Sequence, residues 1–160
     1  MSRGVRRKSM SVAEEDAFLQ KFDEMVEEIT SGGEYDDIAG AVVRRVVTYN
    51  VPEGVVSFLR FGPWLKPEPE DTNLRYIVGW CIEILLAAFL MSDDLMDNSE
   101  TRRGKPCWYL VDNNSDLAIN DSFLLSGLIT IFLDKHFFDK RYYSDLVWLF
   151  HDVYLKTILG

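Results

Sequence analysis

Thr72-Asn73-Leu74-Arg75-Tyr76-Ile77-Val78-Gly79-Trp80-Cys81-Ile82-Glu83-Ile84-Leu85-Leu86-Ala87-Ala88-Phe89-Leu90-Met91-Ser92-Asp93-Asp94-Leu95-Met96-Asp97 is the stretch that decides how this chain folds. No proline interrupts it, and Asp71 or Thr72 can cap its start. As one helix it spans about 39 Å at ~1.5 Å per residue. Its middle is apolar on every side, which calls for other helices around it. The longest apolar run, Ile84 to Ser92, is too short to span a bilayer and ends in carboxylates. A buried soluble helix is the expectation.

Three carboxylates close this helix, where packing gives no reason for them. Asp93 and Asp97 stand one turn apart with Asp94 beside them. Like charges repel there, and the helix C-terminus already favours cations. A hard cation such as Mg²⁺ relieves both, because it takes oxygen ligands and leaves positions open for phosphate oxygens. Arg102 and Arg103 follow within a few residues and bring fork-shaped donors that suit phosphate. Carboxylates, metal and arginines together read as a diphosphate site. The bland alternative for the arginines is an ion pair back to Asp97 or Glu100.

The rest of the chain is helical in pattern, without repeats or a strong strand signal. Ser11-Val12-Ala13-Glu14 fits a capping box, so a first helix is expected from about Val12 to Ile29. Ser31-Gly32-Gly33 breaks it. A second helix is expected from Tyr35 to Tyr49, with Ile38, Val42, Val46 and Tyr49 on one side. Asn50 to Pro69 is rich in proline and glycine and reads as irregular, with one short helix near Val55–Leu59. Asp112 to Asp116 reads as a polar loop. Helices are expected at Leu117–Leu133 and Ser144–Leu159, the last with Leu146, Leu149, Phe150, Val153 and Tyr154 on one face and Gly160 as its cap. The fold class is therefore all-α, with helices packed around the third.

The gross numbers agree. The 160 residues suffice for one domain, and a net charge of −9 argues against nucleic acid. Two cysteines, Cys81 and Cys107, make neither a disulfide framework nor zinc spacing. They read as packed, reduced thiols of a cytoplasmic protein. Residues 1–10 read as a basic flexible tail carrying Arg3, Arg6, Arg7 and Lys8, with a mitochondrial presequence as the alternative. No stable membrane insertion is expected. Residues 11–160 read as one domain.

Tyr76 to Leu85, the aspartate-rich stretch, Arg102-Arg103-Gly104-Lys105-Pro106-Cys107-Trp108-Tyr109 and Leu117-Ala118-Ile119-Asn120-Asp121 together resemble a trans-isoprenyl diphosphate synthase of the farnesyl diphosphate synthase type. The resemblance implies an isoprenoid synthase-type helical bundle around a central cavity. It also implies Mg²⁺-dependent prenyl transfer between an allylic diphosphate and isopentenyl diphosphate. Asp93, Asp94 and Asp97 match the first aspartate-rich motif, which ligates Mg²⁺. Arg102 matches the arginine that holds the allylic diphosphate, and Arg103 the one that reaches isopentenyl diphosphate. Ala88 and Phe89 match the floor of the prenyl-chain pocket. Such enzymes form homodimers, which implies an interface on the apolar faces after Leu117.

The chain also departs from the pattern. Val55 and Phe58 stand where the family has a lysine and an arginine for isopentenyl diphosphate, and Leu86 replaces a usual polar residue. A terpene synthase that ionises an allylic diphosphate without isopentenyl diphosphate is the alternative this damage suggests. The second aspartate-rich motif and the catalytic lysine and threonine are not found. The expectation is the N-terminal half of such a fold, inactive alone, with a non-catalytic truncated relative as the further alternative.

Overall fold

The computed structural model describes residues 11–31, 37–51, 72–113 and 115–160. The basic tail, Val55, Phe58 and the short helix expected near them lie outside the described residues. Five helices carry the described part: α1 Val12–Ser31, α2 Asp37–Asn50, α3 Thr72–Met96, α4 Ser115–Phe137 and α5 Tyr143–Leu159. The architecture is all-α, as expected.

α1 begins on the predicted capping box. The Ser11 amide donates to Glu14 Oε2 at 2.9 Å, and the Glu14 amide donates back to Ser11 Oγ at 3.3 Å. α1 docks on α3 through aromatic rings. Phe18 stacks on Trp80 at 4.4 Å with planes 8° apart, and Trp80 Nε1 donates to the Phe18 carbonyl at 2.7 Å. At its other end, Glu28 holds His136 at 3.0 Å and Lys135 at 3.5 Å, tying α1 to the end of α4.

α3 is the core helix. Tyr76, Ile77, Trp80, Cys81, Ile84, Leu85, Ala87, Ala88 and Met91 on it are buried. Burial is not complete all round, however. Ile82 is 49% exposed and Leu86 37%, so one side of α3 is uncovered among the described residues. By length and composition alone, both α3 and α4 are long and apolar enough to cross a bilayer. In the fold, 61% of the apolar window of α3 is buried against its neighbours.

Two helix faces differ from expectation. On α2 the buried residues are Gly40, Val43, Val46 and Val47, while Val42 is 46% exposed. Gly40 explains the rotation. A Cβ there would stand 3.0 Å from the Thr30 carbonyl oxygen, so the bare backbone of α2 is what meets α1. On α5, Phe150 is buried and Leu146 and Tyr154 are half-buried, but Leu149 and Val153 are exposed. The helix touches α4 and α3 along a narrow seam, so half of its apolar stripe has nothing described against it.

The segment after α3 is not a plain loop. Thr101–Arg102 (β1) and Lys105–Pro106 (β2) pair antiparallel as a two-residue hairpin, and Trp108–Asn113 winds as 3₁₀ turns. The polar loop expected at Asp112–Asp116 is thus shorter, and α4 already starts at Ser115. Two-residue strands leave no periodicity to read.

Candidate diphosphate site

The site is built at the C-terminal end of α3 and the hairpin that follows. Asp93 and Asp97 are exposed, whereas Asp94 is 4% exposed and turned inward. The difference follows from helix geometry. Residues at 82, 86, 89, 93 and 97 fall on one side at three- and four-residue spacing, and 94 is rotated away by ~100°. Ile82, Leu86, Phe89 and Asp93 therefore form one strip along α3, with Ile82, Leu86 and Asp93 exposed and Phe89 half-buried. It is apolar for three residues and then acidic.

Asp94 is held by Arg102. Arg102 Nε donates to both carboxylate oxygens at 2.9 and 3.0 Å, and Nη2 donates to Oδ1 at 2.5 Å. This fork grip raises the Arg102 guanidinium further above its ordinary value. The bland alternative, an ion pair back to Asp97 or Glu100, is not the one Arg102 makes; it pairs with Asp94. The hairpin reverses the chain and brings Arg102 level with the end of the helix. Cys107 sits in the same place. Its thiol is pushed up to about 11, first by burial and then by the Asp94 carboxylate.

Arg103 occupies the hairpin tip. It is exposed, with φ 52°, and Gly104 follows with φ 76°. Two positive φ values in succession make the two-residue turn that matches strand twist. The tip carries a guanidinium free of salt bridges to described residues.

Among the described residues, no three metal-ligating side chains converge into a ready cage. Asp93 and Asp97 make no side-chain hydrogen bond or ion pair with a described residue, so both oxygen pairs face solvent. That donor set fits a hard ion which keeps waters and takes diphosphate oxygens, rather than one enclosed by protein.

The two residues expected to floor a chain pocket part company. Ala88 is buried in the core, while Phe89 is half-buried and stacks on Tyr154 of α5 at 5.3 Å. One turn before Phe89, Leu85 borders a cavity of about 260 Å³ between α3, α4 and α5, with Ile129, Leu133, Phe150 and Tyr154.

A family model for polyprenyl synthetases matches residues 42–160. The chain belongs to the polyprenyl synthetase family. It is 43% identical to a farnesyl pyrophosphate synthase of Kluyveromyces lactis over 157 residues, covering 89% of this chain and 45% of the relative. It is 52% identical to the Saccharomyces cerevisiae farnesyl pyrophosphate synthase over 91 residues, 57% of this chain and 26% of that protein. Among solved structures, the farnesyl diphosphate synthase of T. brucei complexed with homorisedronate superposes with a TM-score of 0.75 at 29% identity. It covers 92% of this chain and 45% of its own. The chain spans about half the length of the curated relatives it matches. The family and its helical fold are those the motif residues implied.

Sequence reading left one part of the site unassembled. Trp108 Nε1 donates to Asp121 Oδ2 at 2.7 Å, with both residues buried. The available signal was Asp121 itself, a carboxylate inside an otherwise apolar helix.

Proposed function

We propose that this chain carries the allylic-diphosphate side of a Mg²⁺-dependent prenyltransferase, which joins an allylic diphosphate to isopentenyl diphosphate. The observation that supports it most is the strip on α3. An apolar lane, with Ile82 and Leu86 exposed and Phe89 half-buried, runs into Asp93 and Asp97, two carboxylates unpaired among the described residues. An apolar tail with a metal-bound diphosphate head has that same layout.

In this reading Asp93 and Asp97 hold Mg²⁺, which stabilises the charge of the departing diphosphate. Asp94 has a different task from its neighbours: it holds Arg102 at the site, where the guanidinium meets the allylic diphosphate. Arg103, at the hairpin tip, reaches isopentenyl diphosphate. Phe89, backed by Tyr154, walls the prenyl chain, and Ala88 sets the packing behind it. The exposed apolar residues Ile119 and Phe123 of α4 and Trp148 of α5 suit a homodimer face. The working place is the cytoplasm, in keeping with two unpaired, buried thiols at Cys81 and Cys107.

The test is to incubate the protein with Mg²⁺ and geranyl diphosphate, with and without isopentenyl diphosphate, and to measure geranyl diphosphate binding alongside. Mg²⁺-dependent binding, and elongated diphosphates formed only when isopentenyl diphosphate is present, support the reading. Hydrocarbons or alcohols formed without it would make the protein a terpene synthase instead. Binding that ignores Mg²⁺ would overturn the site.

A further inference from the structure

Asp121 is a carboxylate buried in the second turn of the largely apolar helix α4, 5% exposed. Removing a carboxylate from water is costly, and a neutral indole N–H repays only part of that cost. An apolar residue there would pack without it, so stability alone does not explain the choice. What Asp121 holds is the ring of Trp108, and Trp108 is fixed on other sides too. The Tyr49 ring lies 4.9 Å away, and the Arg45 guanidinium sits 5.3 Å over the indole. Arg45 also pairs with Asp112, on the same 3₁₀ segment. Tyr49 Oη donates to the Pro106 carbonyl at 2.8 Å. Next to Trp108, the Cys107 amide donates to the Glu100 carbonyl at 3.0 Å, which closes the base of the hairpin. That base carries Thr101–Arg102 (β1), and Arg102 grips Asp94.

These contacts form one physical line from α4 to the site. We propose that Asp121 is a positioning residue: through Trp108 it fixes Cys107 and the base of the hairpin, and so sets Arg102 and Arg103 for a diphosphate. The ligand half of this inference rests on the diphosphate reading above. The anchoring half does not.

Three variants test it in the full chain. Asp121→Ala removes the acceptor, Trp108→Phe removes the donor, and Asp121→Asn keeps an oxygen for the indole. Two readouts are taken: amide exchange over residues 101–110 without ligand, and calorimetric affinity for inorganic diphosphate with Mg²⁺. Asp121→Ala and Trp108→Phe are expected to speed exchange in that segment and to weaken diphosphate about tenfold, as loss of an outer support does. Asp121→Asn should recover most of the affinity, and the Ala/Phe double variant should be no worse than either single one. Unchanged exchange in the segment overturns the anchor. Faster exchange with unchanged affinity overturns its role in positioning. A wild-type chain that binds no Mg²⁺-diphosphate overturns the site reading, while exchange still decides the anchor. Should Asp121→Ala not fold, Trp108→Phe decides alone.

Discussion

Arg102 grips Asp94 with two nitrogens across eight residues of chain, and Asp94 is the one carboxylate of its cluster that is buried. The pair reconciles an anion with the C-terminal end of a helix, where the backbone dipole opposes it. Removing one side of a buried pair costs about 3–5 kcal/mol. The Arg102 side chain is 39% exposed, so water reaches Asp94 once it is gone, and about 2 kcal/mol is the better figure. Arg102→Ala should lower the urea midpoint by that amount. Arg102→Lys should recover less than half, since one ammonium cannot span two oxygens. An Ala variant as stable as wild type would show that Asp94 is satisfied by other groups.

Arg103 stands in a backbone conformation that suits glycine, at φ 52°. A side chain there costs about 1 kcal/mol. A fold selecting only for the turn would place Asn or Gly, so the guanidinium is kept for what it can reach. Arg103→Gly should stay within about 0.5 kcal/mol of wild type, because relief of strain is offset by a freer unfolded chain. Binding of isopentenyl diphosphate should fall at least tenfold, at ~1.5–3 kcal/mol for a charged hydrogen bond. Equal affinity in the two proteins would remove Arg103 from the site.

Much of this was open to reading where the physics is local. The capping box at Ser11 and Glu14, the long α3 and the acidic cluster at its end all lie within a few residues of sequence. The faces of α2 and α5 were misread because neighbours decide them. Gly40 reports a close approach to α1 that no hydropathy pattern encodes, and Leu149 and Val153 are apolar yet uncovered. The Arg102–Asp94 grip needed the hairpin, whose strands are two residues each. Trp108 and Asp121 meet only once α4 has folded back along α3.

Gly40→Ala sets two effects against each other. Alanine favours the helix by up to about 1 kcal/mol. The new methyl would meet a backbone oxygen of Thr30 at 3.0 Å, and backbone does not swing aside as a side chain can. Overpacking of that kind costs about 1–3 kcal/mol. The clash should win, with a net loss of about 1 kcal/mol by thermal or urea unfolding. A gain in stability would mean that α1 and α2 slide apart easily.

Tyr143 fastens the start of α5 to α4 by donating its phenol to Asp134 Oδ1 at 3.0 Å. That hydrogen bond, with burial, raises the phenol above its ordinary value of 10.0. A raised acid favours folding while protonated. Its contribution is thus complete below the ordinary value and is lost as pH rises through the folded one. Tyr143→Phe lacks the bond at every pH. The gap in urea midpoint between wild type and this variant should be flat from neutral to mildly alkaline pH and shrink above 10.0. A gap that never shrinks would show that ring packing, not the hydroxyl, fastens α5.

Asp93 and Asp97 should behave opposite to Asp94. Neither is paired with a described residue, and both stand at the end of a helix that disfavours negative charge. Removing either should leave the fold as stable as before or raise it by about 0.3–1 kcal/mol. Mg²⁺-dependent binding of geranyl diphosphate should nevertheless collapse, since each would remove an oxygen ligand. Asp94→Ala should instead cost stability and release Arg102, while the two outer carboxylates can still take the ion. Chelation by excess EDTA should reduce wild type to the level of Asp93→Ala and leave that variant unchanged. A stabilised Asp93→Ala that still binds with full Mg²⁺ dependence would move the metal away from this helix end. If Asp94→Ala alone lost that dependence, the ion would sit on the inward side of the cluster.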